Sequence, residues 1–400
     1  MKVTVYFNSS YPYGAASTNR VHQLCKGLKN NEVDVELIIT NPTESIAETR
    51  NDQIEGTYEG VRYKYLSKTT RRAGRLISRK INDFGCYLLT YWHILFSVPR
   101  TDAIIVIGGA TFDFRILIPV LARIIGKNVY LEINEYPFVT RKEGLSKAIM
   151  LFIFFRIVVP AHNGFIVISE LLGQEIGKFK SKSARIIKIP VLSEEQELDN
   201  SSTVPPYPLP YIIHSGSMIE QKDGIIGSLQ AFAKARKEFG LKIIYLLAGN
   251  PALSPQIDSI KQFIQIEGLD DSVIFLGFLK RDDLTYYYRH ATLAIVNKSR
   301  NKQNEYGFAT KISEYVRYGI PMILTEVGEI SNYFKNDYNA ILVEPDNIHQ
   351  IANAIERLVN DRESAERLAK NAIGLVEKDF NTNVNGARLR DFIASDLTRD

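Results

Sequence analysis

Short apolar runs and amphipathic stretches alternate along most of the chain, and the alternation forms two series. Continuous apolar runs are typical of strands that a parallel sheet buries on both faces, and the stretches between them have helical periodicity. This order predicts right-handed crossover connections. In the first series we predict strands at 2–7, 33–40, 103–107, 128–133 and 164–168, with a turn around Pro12–Gly14 and a helix over 18–29.

The second series repeats the rhythm of the first and ends in helices. We predict strands at 211–214, 242–247, 272–276, 292–296, 321–324 and 341–343. We predict helices over 225–239, 255–267, 282–290 and 310–318, then a helical tail over 346–379 and a last helix over 384–395.

A polar and then proline-rich segment, Ser193–Pro210, separates the two series and lacks apolar periodicity. Such a segment marks a domain boundary. We predict a first domain over 1–192, a linker over 193–210 and a second domain over 211–400, with packing of the last helix back onto the first domain as an alternative. The predicted fold class is α/β, with two Rossmann-like, doubly wound parallel sheets facing across a cleft that is lined by loops from the carboxyl ends of the strands.

Composition is that of an ordinary globular protein, with 45% hydrophobic and 24% charged residues. The two cysteines, Cys25 and Cys86, are too few for a disulfide framework, and the opening residues MKVTVYFN read as a strand and not as a signal peptide. We therefore expect a cytoplasmic protein. The sequence contains no metal-ligand cluster, so we expect no metal and no other cofactor.

Two features of the first domain bear on its partners. Between Arg62 and Lys80 the chain has eight basic residues and no acidic one, which fits either a solvated surface or attraction to anionic lipid headgroups. No nucleic-acid motif accompanies them. The apolar segment Ala148–Val159 is too short to span a bilayer and contains Arg156. It is predicted as a buried core helix, with a helix lying in the bilayer surface as the alternative.

Two loops of the first domain carry candidate chemistry. Gly14 lies between the first strand and the first helix, where the backbone can approach an anionic ligand, although a plain tight turn explains this glycine equally well. The loop does not match GxGxxG, which disfavours a nicotinamide dehydrogenase. Asn134 and Glu135 stand at the end of a predicted strand, where cleft residues belong, and helix capping is the alternative for Glu135.

Two segments of the second domain combine glycines with cations. In His214–Gly224, Gly216 allows close approach of a ligand, and Lys222 stands near a helix start, where positive charge opposes the helix dipole unless an anion is bound. Further along, Lys311 and Glu314 lie one turn apart on a predicted helix. They form either a surface ion pair or contacts to a diphosphate and to ribose hydroxyls.

With these residues the chain resembles the GT-B glycosyltransferases of family 4, a retaining group that uses nucleotide sugars, and in particular the branch that reads K-x-x-E-Y. The resemblance covers nearly the whole chain and is strongest from Tyr211 to Asp361. It is carried by HSGSMIEQKDGI, YLLAGN, VIFLGFLKRDDLTYYY, TKISEYVRYGIPMILTEVGEI and NAILVEPDNIHQIANAIERL, and in the first domain by the Pro-Tyr-Gly turn and the EINEYP loop.

The resemblance implies a UDP- or GDP-sugar donor held mainly by the second domain. Lys222 and Lys311 match cations at the diphosphate, and Glu314 matches the second glutamate of the E-x7-E motif, which contacts the ribose. The implied donor-binding set is Gly14, Arg20, Gly216, Ser217, Lys222, Gly249, Thr310, Lys311 and Glu314. The implied catalytic set is Asn134, Glu135, Lys222 and Lys311.

Three positions depart from the family pattern. The residue eight positions before Glu314 is Tyr306, with Glu305 one step away, so the place of the first motif glutamate stays open between them. Ser217 replaces an arginine that often accompanies the lysine. Asn134 stands where many members carry a catalytic-site histidine.

The resemblance therefore implies a hexosyltransferase that moves a sugar from a nucleotide diphosphate to a saccharide acceptor with retention, and Glu135 is a candidate contact or base at that acceptor. The basic stretch and the apolar segment favour a lipid-linked acceptor and a peripheral position at the inner face of the plasma membrane, as in bacterial capsule or O-antigen assembly. Two alternatives remain, namely a sugar-nucleotide epimerase of the same fold and a non-catalytic subunit that binds nucleotide sugars.

Overall fold

Two β-sheets organise the chain, one in each of the units into which it divides. The first unit is Met1–Leu192 with Asn381–Asp400, and the second unit is Ser193–Phe380. The computed structural model describes residues 1–14, 16–45, 49–96, 101–108, 117–139, 141–194 and 204–398.

The strands are β1 Lys2–Phe7, β2 Asp34–Ile39, β3 Glu55–Tyr58, β4 Val61–Tyr65, β5 Ala103–Ile107, β6 Asn128–Ile133, β7 Gly164–Val167, β8 Arg185–Lys188, β9 Tyr211–Ser215, β10 Ile244–Ala248, β11 Val273–Gly277, β12 Leu293–Val296, β13 Met322–Thr325 and β14 Ile341–Val343. The helices are α1 Ala16–Asn30, α2 Leu76–Phe96, α3 Leu117–Ile124, α4 Leu145–Ile153, α5 Val159–Ala161, α6 Glu170–Gly177, α7 Glu220–Asp223, α8 Ile225–Phe239, α9 Ile257–Ile266, α10 Arg281–Arg289, α11 Lys302–Tyr306, α12 Lys311–Arg317, α13 Ile330–Tyr333, α14 Ile348–Asn360, α15 Arg362–Glu377 and α16 Thr382–Leu397. A π-helical segment, Phe154–Val158, joins α4 to α5.

The sheet of the first unit has the strand order β3-β4-β2-β1-β5-β6-β7-β8. Every pair is parallel except β3 with β4, which form an antiparallel hairpin. The central strands are buried along almost their whole length, as expected for a parallel sheet with both faces covered. Their side chains pack with α1 and α16 into one apolar core.

The sheet of the second unit is fully parallel and has the order β11-β10-β9-β12-β13-β14. The order reverses at β9, which lies between β10 and β12. Because these strands are parallel, the loops that follow them leave the same edge of the sheet. Buried residues of α8 and α14 pack on the sheet to form its core. In doubly wound sheets ligands bind at such a reversal, beyond the carboxyl ends of the strands.

The strands predicted from continuous apolar runs are all present, and the α/β class is confirmed. Three strands of the first unit were not predicted, because their patterns differ from such runs. In β4, VRYKY, buried and exposed positions alternate, which is typical of a strand with one solvated face. The short strands β3 and β8 contain charged residues and lie at the two edges of the sheet.

The basic stretch does not form one surface. Arg62 and Lys64 belong to β4 and pair with Asp34 and Glu55 of the neighbouring strands, so their charges are balanced. The other basic residues of the stretch, from Lys68 onward, lie between β4 and the first turns of α2.

The apolar segment Ala148–Val159 is only partly a core helix. Phe154, Phe155 and Val159 are buried, whereas Ile149 and Phe152 are exposed.

Helix α16 packs against α1 of the first unit through two glycines. A Cβ atom built on Gly386 would overlap the backbone carbonyl of Gly27, and the reverse substitution would press on the Thr382 carbonyl oxygen and on Gly386. The two backbones therefore touch, because neither residue carries a side chain.

Replacing Gly386 with alanine is expected to lower the free energy of unfolding by about 2 kcal/mol, because the new methyl group forces α16 away from α1. Gly374 in α15 is the matched control, since nothing lies within 4 Å of a Cβ at that position. Gly374→Ala should be neutral or stabilising by up to about 1 kcal/mol through helix propensity. Urea denaturation measures both variants, and equal effects would contradict the close contact.

Candidate functional site

Two glycines end neighbouring strands of the second unit and bring their loops together. Gly216 follows β9 with φ +153°, and Gly249 follows β10 with φ +147°. A Cβ atom on Gly249 would overlap the carbonyl oxygen of Gly216, so only glycine fits. The amide of Gly216 donates to the Ala248 oxygen (2.9 Å) and that of Gly249 to the Gly277 oxygen (2.8 Å). Both amides are therefore used within the sheet edge, and what the glycines supply is space for a ligand.

A cluster of ionisable side chains lies beside this glycine edge. Lys311 Nζ, from the start of α12, donates to Asp223 Oδ1 at 2.7 Å and lies 3.4 Å from His214 Nε2. The other oxygen of Asp223 accepts from the hydroxyl of Ser217 at 2.8 Å. Because an ammonium only donates, His214 Nε2 acts as the acceptor, and the proton of the neutral imidazole is on Nδ1.

The cluster is electrostatically balanced at neutral pH. Burial is the largest single influence on Asp223 and would raise its pKa, but the Lys311 charge 2.7 Å away, its hydrogen bond and the neighbouring His214 and Lys298 together hold that pKa well below its ordinary range. Burial, reinforced by Lys311, lowers the pKa of His214 to about 3. The cluster therefore has one cation, one anion and a neutral ring.

In this arrangement the Lys311 ammonium group can still donate a hydrogen bond to a ligand. Two of its three N–H groups are directed to Asp223 and His214, and the third has no acceptor in the part of the chain that the structure describes. Its ammonium group lies 2.9 Å from the position that a Gly216 Cβ would occupy, so it faces the bare backbone at that loop.

Glu314 belongs to a second hydrogen-bonded group on the same helix, α12. The hydroxyl oxygen of Tyr288 lies 3.0 Å from Glu314 Oε2 and 2.6 Å from Ser215 Oγ. The amide of Ser215 donates to the hydroxyl of Tyr315 at 3.1 Å. Burial raises the pKa of Glu314, and the Tyr288 hydroxyl and nearby arginines oppose that rise. Glu314 is thus fixed in orientation one helical turn from Lys311.

Lys222 lies in the short helix α7, directly before its last residue, Asp223. Its backbone oxygen accepts from Lys298 Nζ at 3.1 Å, and the same ammonium donates to Asn304 Oδ1 at 2.8 Å. Lys298 is buried, so its contact fixes the backbone that presents the Lys222 side chain. Lys298 was not among the predicted site residues, although a lysine two residues after a buried strand is a usable signal.

The remaining candidates of the second unit lie just before α12, either in α11 or in the loop that joins α11 to α12. Thr310 immediately precedes Lys311, and its carbonyl oxygen accepts from the Ser313 hydroxyl at 2.9 Å. Glu305 and Tyr306 are both half-buried in α11, a helix separate from α12. Gly328 approaches this segment closely, because a Cβ there would lie 2.6 Å from the Asn304 oxygen.

Among the candidates of the first unit, Arg20 forms hydrogen bonds with residues of that same unit. It is buried, and its guanidinium donates to Glu132 Oε1 (2.5 Å), the Pro190 oxygen (2.7 Å) and the Ile189 oxygen (3.0 Å). All three guanidinium nitrogens therefore have partners within the fold of the first unit.

Gly14, Asn134 and Glu135 lie in loops at the carboxyl edge of the first sheet. A Cβ on Gly14 would overlap the Thr18 hydroxyl and lie 2.7 Å from the Ser10 oxygen, so packing within the loop already requires glycine there. Asn134 and Glu135 directly follow β6 and are half-buried. They have the placement that the sequence predicted, at the end of a buried strand.

A polar pocket of about 230 Å³ lies at the carboxyl ends of β1 and β2 in the first unit. Asn8, Ser10, Asn41, Arg72 and Asp83 contribute to its lining. The amide of Asn41 donates to Asp83 Oδ1 at 3.1 Å, which ties the loop after β2 to α2. The pocket offers both a cation and carboxylate and amide oxygens to a polyhydroxylated ligand.

Among the residues that the structure describes, no group of three or more His, Cys, Asp or Glu side chains is arranged to hold a metal ion.

Residues 196–374, most of the second unit, match the family described as Glycosyl transferases group 1. The chain is 22% identical over 213 residues to the uncharacterized glycosyltransferase YqgM of Bacillus subtilis, a match that covers 53% of this chain and 56% of that protein. It is 23% identical over 180 residues to the alpha-D-kanosaminyltransferase of Streptomyces kanamyceticus, covering 45% and 44%. The chain thus spans about half the length of the curated relatives it matches.

Solved structures are similar over the full length. Sucrose-phosphate synthase from Thermosynechococcus elongatus aligns with a TM-score of 0.74 at 17% identity, covering 100% of both chains. HepE from Anabaena in complex with UDP and glucose aligns with a TM-score of 0.71 at 13% identity, covering 99% of this chain and 100% of that chain. At these identities the likeness concerns the fold, and it confirms the predicted GT-B class with two Rossmann-like units.

Proposed function

We propose that this protein is a glycosyltransferase that takes a sugar from a nucleotide diphosphate, and that its second unit binds the donor. The observation that carries the proposal is that the segment matching Glycosyl transferases group 1 contains the Lys311–Asp223 pair, placed against the bare backbone of Gly216. The full-length likeness to HepE in complex with UDP and glucose supports a uridine nucleotide as the first donor to test.

In this proposal the pyrophosphate lies against the glycine edge at the ends of β9 and β10. Because no side chain projects from Gly216 or Gly249, an anion can approach the backbone, and the third N–H of Lys311 can donate to it. Lys222 supplies a second cation from the end of α7. Fixed cations at a leaving diphosphate lower the barrier of transfer, because they are already oriented when negative charge develops.

Glu314 is proposed to accept hydrogen bonds from the ribose hydroxyls. Tyr288 holds one carboxylate oxygen at 3.0 Å and so orients the group before the ligand arrives. Ser217, where family members often have an arginine, here accompanies Asp223 and positions that carboxylate for Lys311. Within the second unit, donor binding then depends on two lysines, with no arginine of that unit among the proposed contacts.

The acceptor is proposed to bind the first unit, at the polar pocket beside β1 and β2. Its lining of amides, hydroxyls, Arg72 and Asp83 suits a saccharide. Asn134 and Glu135, at the end of β6, are the proposed acceptor-side residues for the reaction, which would proceed with retention. A lipid-linked saccharide of a bacterial surface polysaccharide, such as a capsule or O-antigen, is the acceptor class we propose.

Incubation with a panel of UDP, GDP, TDP and their sugars is expected to raise the melting temperature with one base only. A ligand at a hundred times its dissociation constant stabilises the native state by about 2.7 kcal/mol. Lys222→Ala and Glu314→Gln should each weaken that shift, whereas Lys237→Ala, an exposed lysine of α8, is the matched control. A panel in which no nucleotide shifts the melting temperature would sink the donor assignment.

Product analysis separates the two alternatives from transfer. An epimerase returns an altered nucleotide sugar, and a non-catalytic subunit returns the donor unchanged. Slow release of the free nucleotide diphosphate and sugar by the purified chain is the expected result, since water replaces the missing acceptor.

A further inference from the structure

Helix α2 carries most of its large apolar side chains on the face exposed to solvent, although Ile94 is buried. Six large apolar residues recur at intervals of three or four, the spacing of one helix face, and each is between 53% and 76% exposed. They are Ile77, Ile81, Phe84, Leu88, Trp92 and Phe96. We call these six residues the apolar face of α2.

The opposite face of α2 packs on the first unit and carries its hydrogen-bonding groups. Asp83 accepts from Asn41, and His93 Nδ1 lies 2.8 Å from the Tyr6 hydroxyl. Cys86 and Thr90 are buried between them. A surface helix of a globular protein has the reverse arrangement, with apolar residues inward and polar residues outward. A contiguous exposed apolar surface of this kind marks an interaction site.

Positive charge borders the apolar face at the start of α2. Five exposed cations lie between Lys68 and Lys80, and none forms an ion pair with any residue in the described ranges. They are Lys68, Arg71, Arg72, Arg75 and Lys80. Cations near a helix N-terminus oppose its dipole, so an external anion is the complement that this surface lacks.

We propose that α2 docks the protein on an anionic lipid bilayer, with its apolar face among the acyl chains and the cations at the headgroup phosphates. An exposed apolar stripe with tryptophan, flanked by basic residues, is the pattern of a helix that lies in the membrane interface. In the part of the chain covered by the structure, no helix is long and apolar enough to cross a membrane.

This inference deepens the proposed function, because it states how a lipid-linked acceptor reaches the polar pocket. Asp83 and Tyr87 line that pocket from the packed side of α2, opposite the apolar face. A helix docked in the interface therefore holds the pocket at the level of the headgroups, where the saccharide of a lipid-linked acceptor begins.

The chain contains its own probe of docking, since Trp92 is its single tryptophan and lies on the apolar face. Vesicles of equal parts phosphatidylcholine and phosphatidylglycerol should shift the Trp92 emission to shorter wavelength, and brominated phosphatidylcholine in the same vesicles should quench it. Phosphatidylcholine alone should give a smaller shift, and added salt should weaken the binding.

Two pairs of substitutions test the two parts of the surface by vesicle flotation. Ile81→Glu with Leu88→Glu should abolish flotation, whereas Leu253→Glu with Ile266→Glu, at apolar positions of the second unit that are at least as exposed, should leave it unchanged. Arg71→Gln with Arg75→Gln should lower vesicle partition on the order of thirtyfold, about fivefold for each charge. Lys237→Gln with Lys261→Gln is the matched control for the lost charge.

Unchanged Trp92 emission, or wild-type flotation of the Ile81→Glu, Leu88→Glu variant, would overturn the proposal. Self-association without lipid that this variant abolishes, together with no vesicle binding by the wild type, would also overturn it and assign the face to a second copy of the chain. The experiment contains no nucleotide, and the melting panel contains no lipid, so failure of docking and failure of donor binding are distinguishable.

Discussion

Replacing Lys311 with methionine is expected to lower the free energy of unfolding of the second unit by about 3 kcal/mol or more. The substitution leaves the Asp223 carboxylate, whose side chain is 4% exposed, without the cation that balances it, and an uncompensated buried charge is costly. The same variant should bind the nucleotide about ten- to a hundredfold more weakly, as expected for the loss of one charged hydrogen bond. Urea denaturation and isothermal titration at a temperature where the variant is folded measure the two effects.

A second variant separates the stabilising role of Lys311 from its proposed role in binding. Lys311→Met combined with Asp223→Asn removes both charges, and replacing a whole buried pair is often close to neutral. The double variant should therefore regain most of the stability while donor affinity stays low. Recovery of affinity together with stability would show that Lys311 acts only as the partner of Asp223, and the proposed diphosphate contact would then be wrong.

Replacing Gly249 with alanine is expected to lower the free energy of unfolding by roughly 3–5 kcal/mol and to abolish donor binding. The new Cβ would overlap the carbonyl oxygen of Gly216, so the loop after β9 must move, and this is added to the strain of a positive φ. Because Gly216 faces the Lys311 ammonium, displacing its loop also disturbs the proposed pyrophosphate site.

Gly144 provides the matched control for Gly249. It has nearly the same φ, +149° against +147°, but nothing lies within 4 Å of a Cβ at that position. Gly144→Ala should therefore show only the conformational cost, about 1–3 kcal/mol, with donor binding intact. If both alanine variants lose equal stability in urea and bind the nucleotide equally well, the contact between the two loops does not matter.

The course of the parallel strands was predictable because burial on both faces leaves a continuous apolar run in the sequence. The segments Lys2–Phe7, Ala103–Ile107 and Asn128–Ile133 form strands over the predicted residues. The strand Val61–Tyr65 was not predicted, because one of its faces meets solvent and its buried and exposed residues therefore alternate without a continuous apolar run. The basic stretch does not form one surface, because Arg62 and Lys64 of that strand pair with carboxylates on neighbouring strands.

The candidate site was predictable only in part. Gly216, Lys311 and Glu314 stood out because glycine and charge at the ends of strands and helices are visible in the sequence. Asp223 and His214 did not, although the structure places them within 3.4 Å of Lys311. Their contact joins residues from β9, α7 and α12, and no local pattern records such a contact.

The sequence by itself determined which segments become buried strands, where the second series begins, and which glycines and cations follow those strands, because each of these depends on neighbours along the chain. Only the tertiary structure decided which charges are balanced. Arg20, a candidate ligand by position, is paired with Glu132 and donates to two carbonyl oxygens. The tertiary structure also decided that α2 directs most of its large apolar residues outward, because a helical pattern defines a face but not the surroundings that cover it.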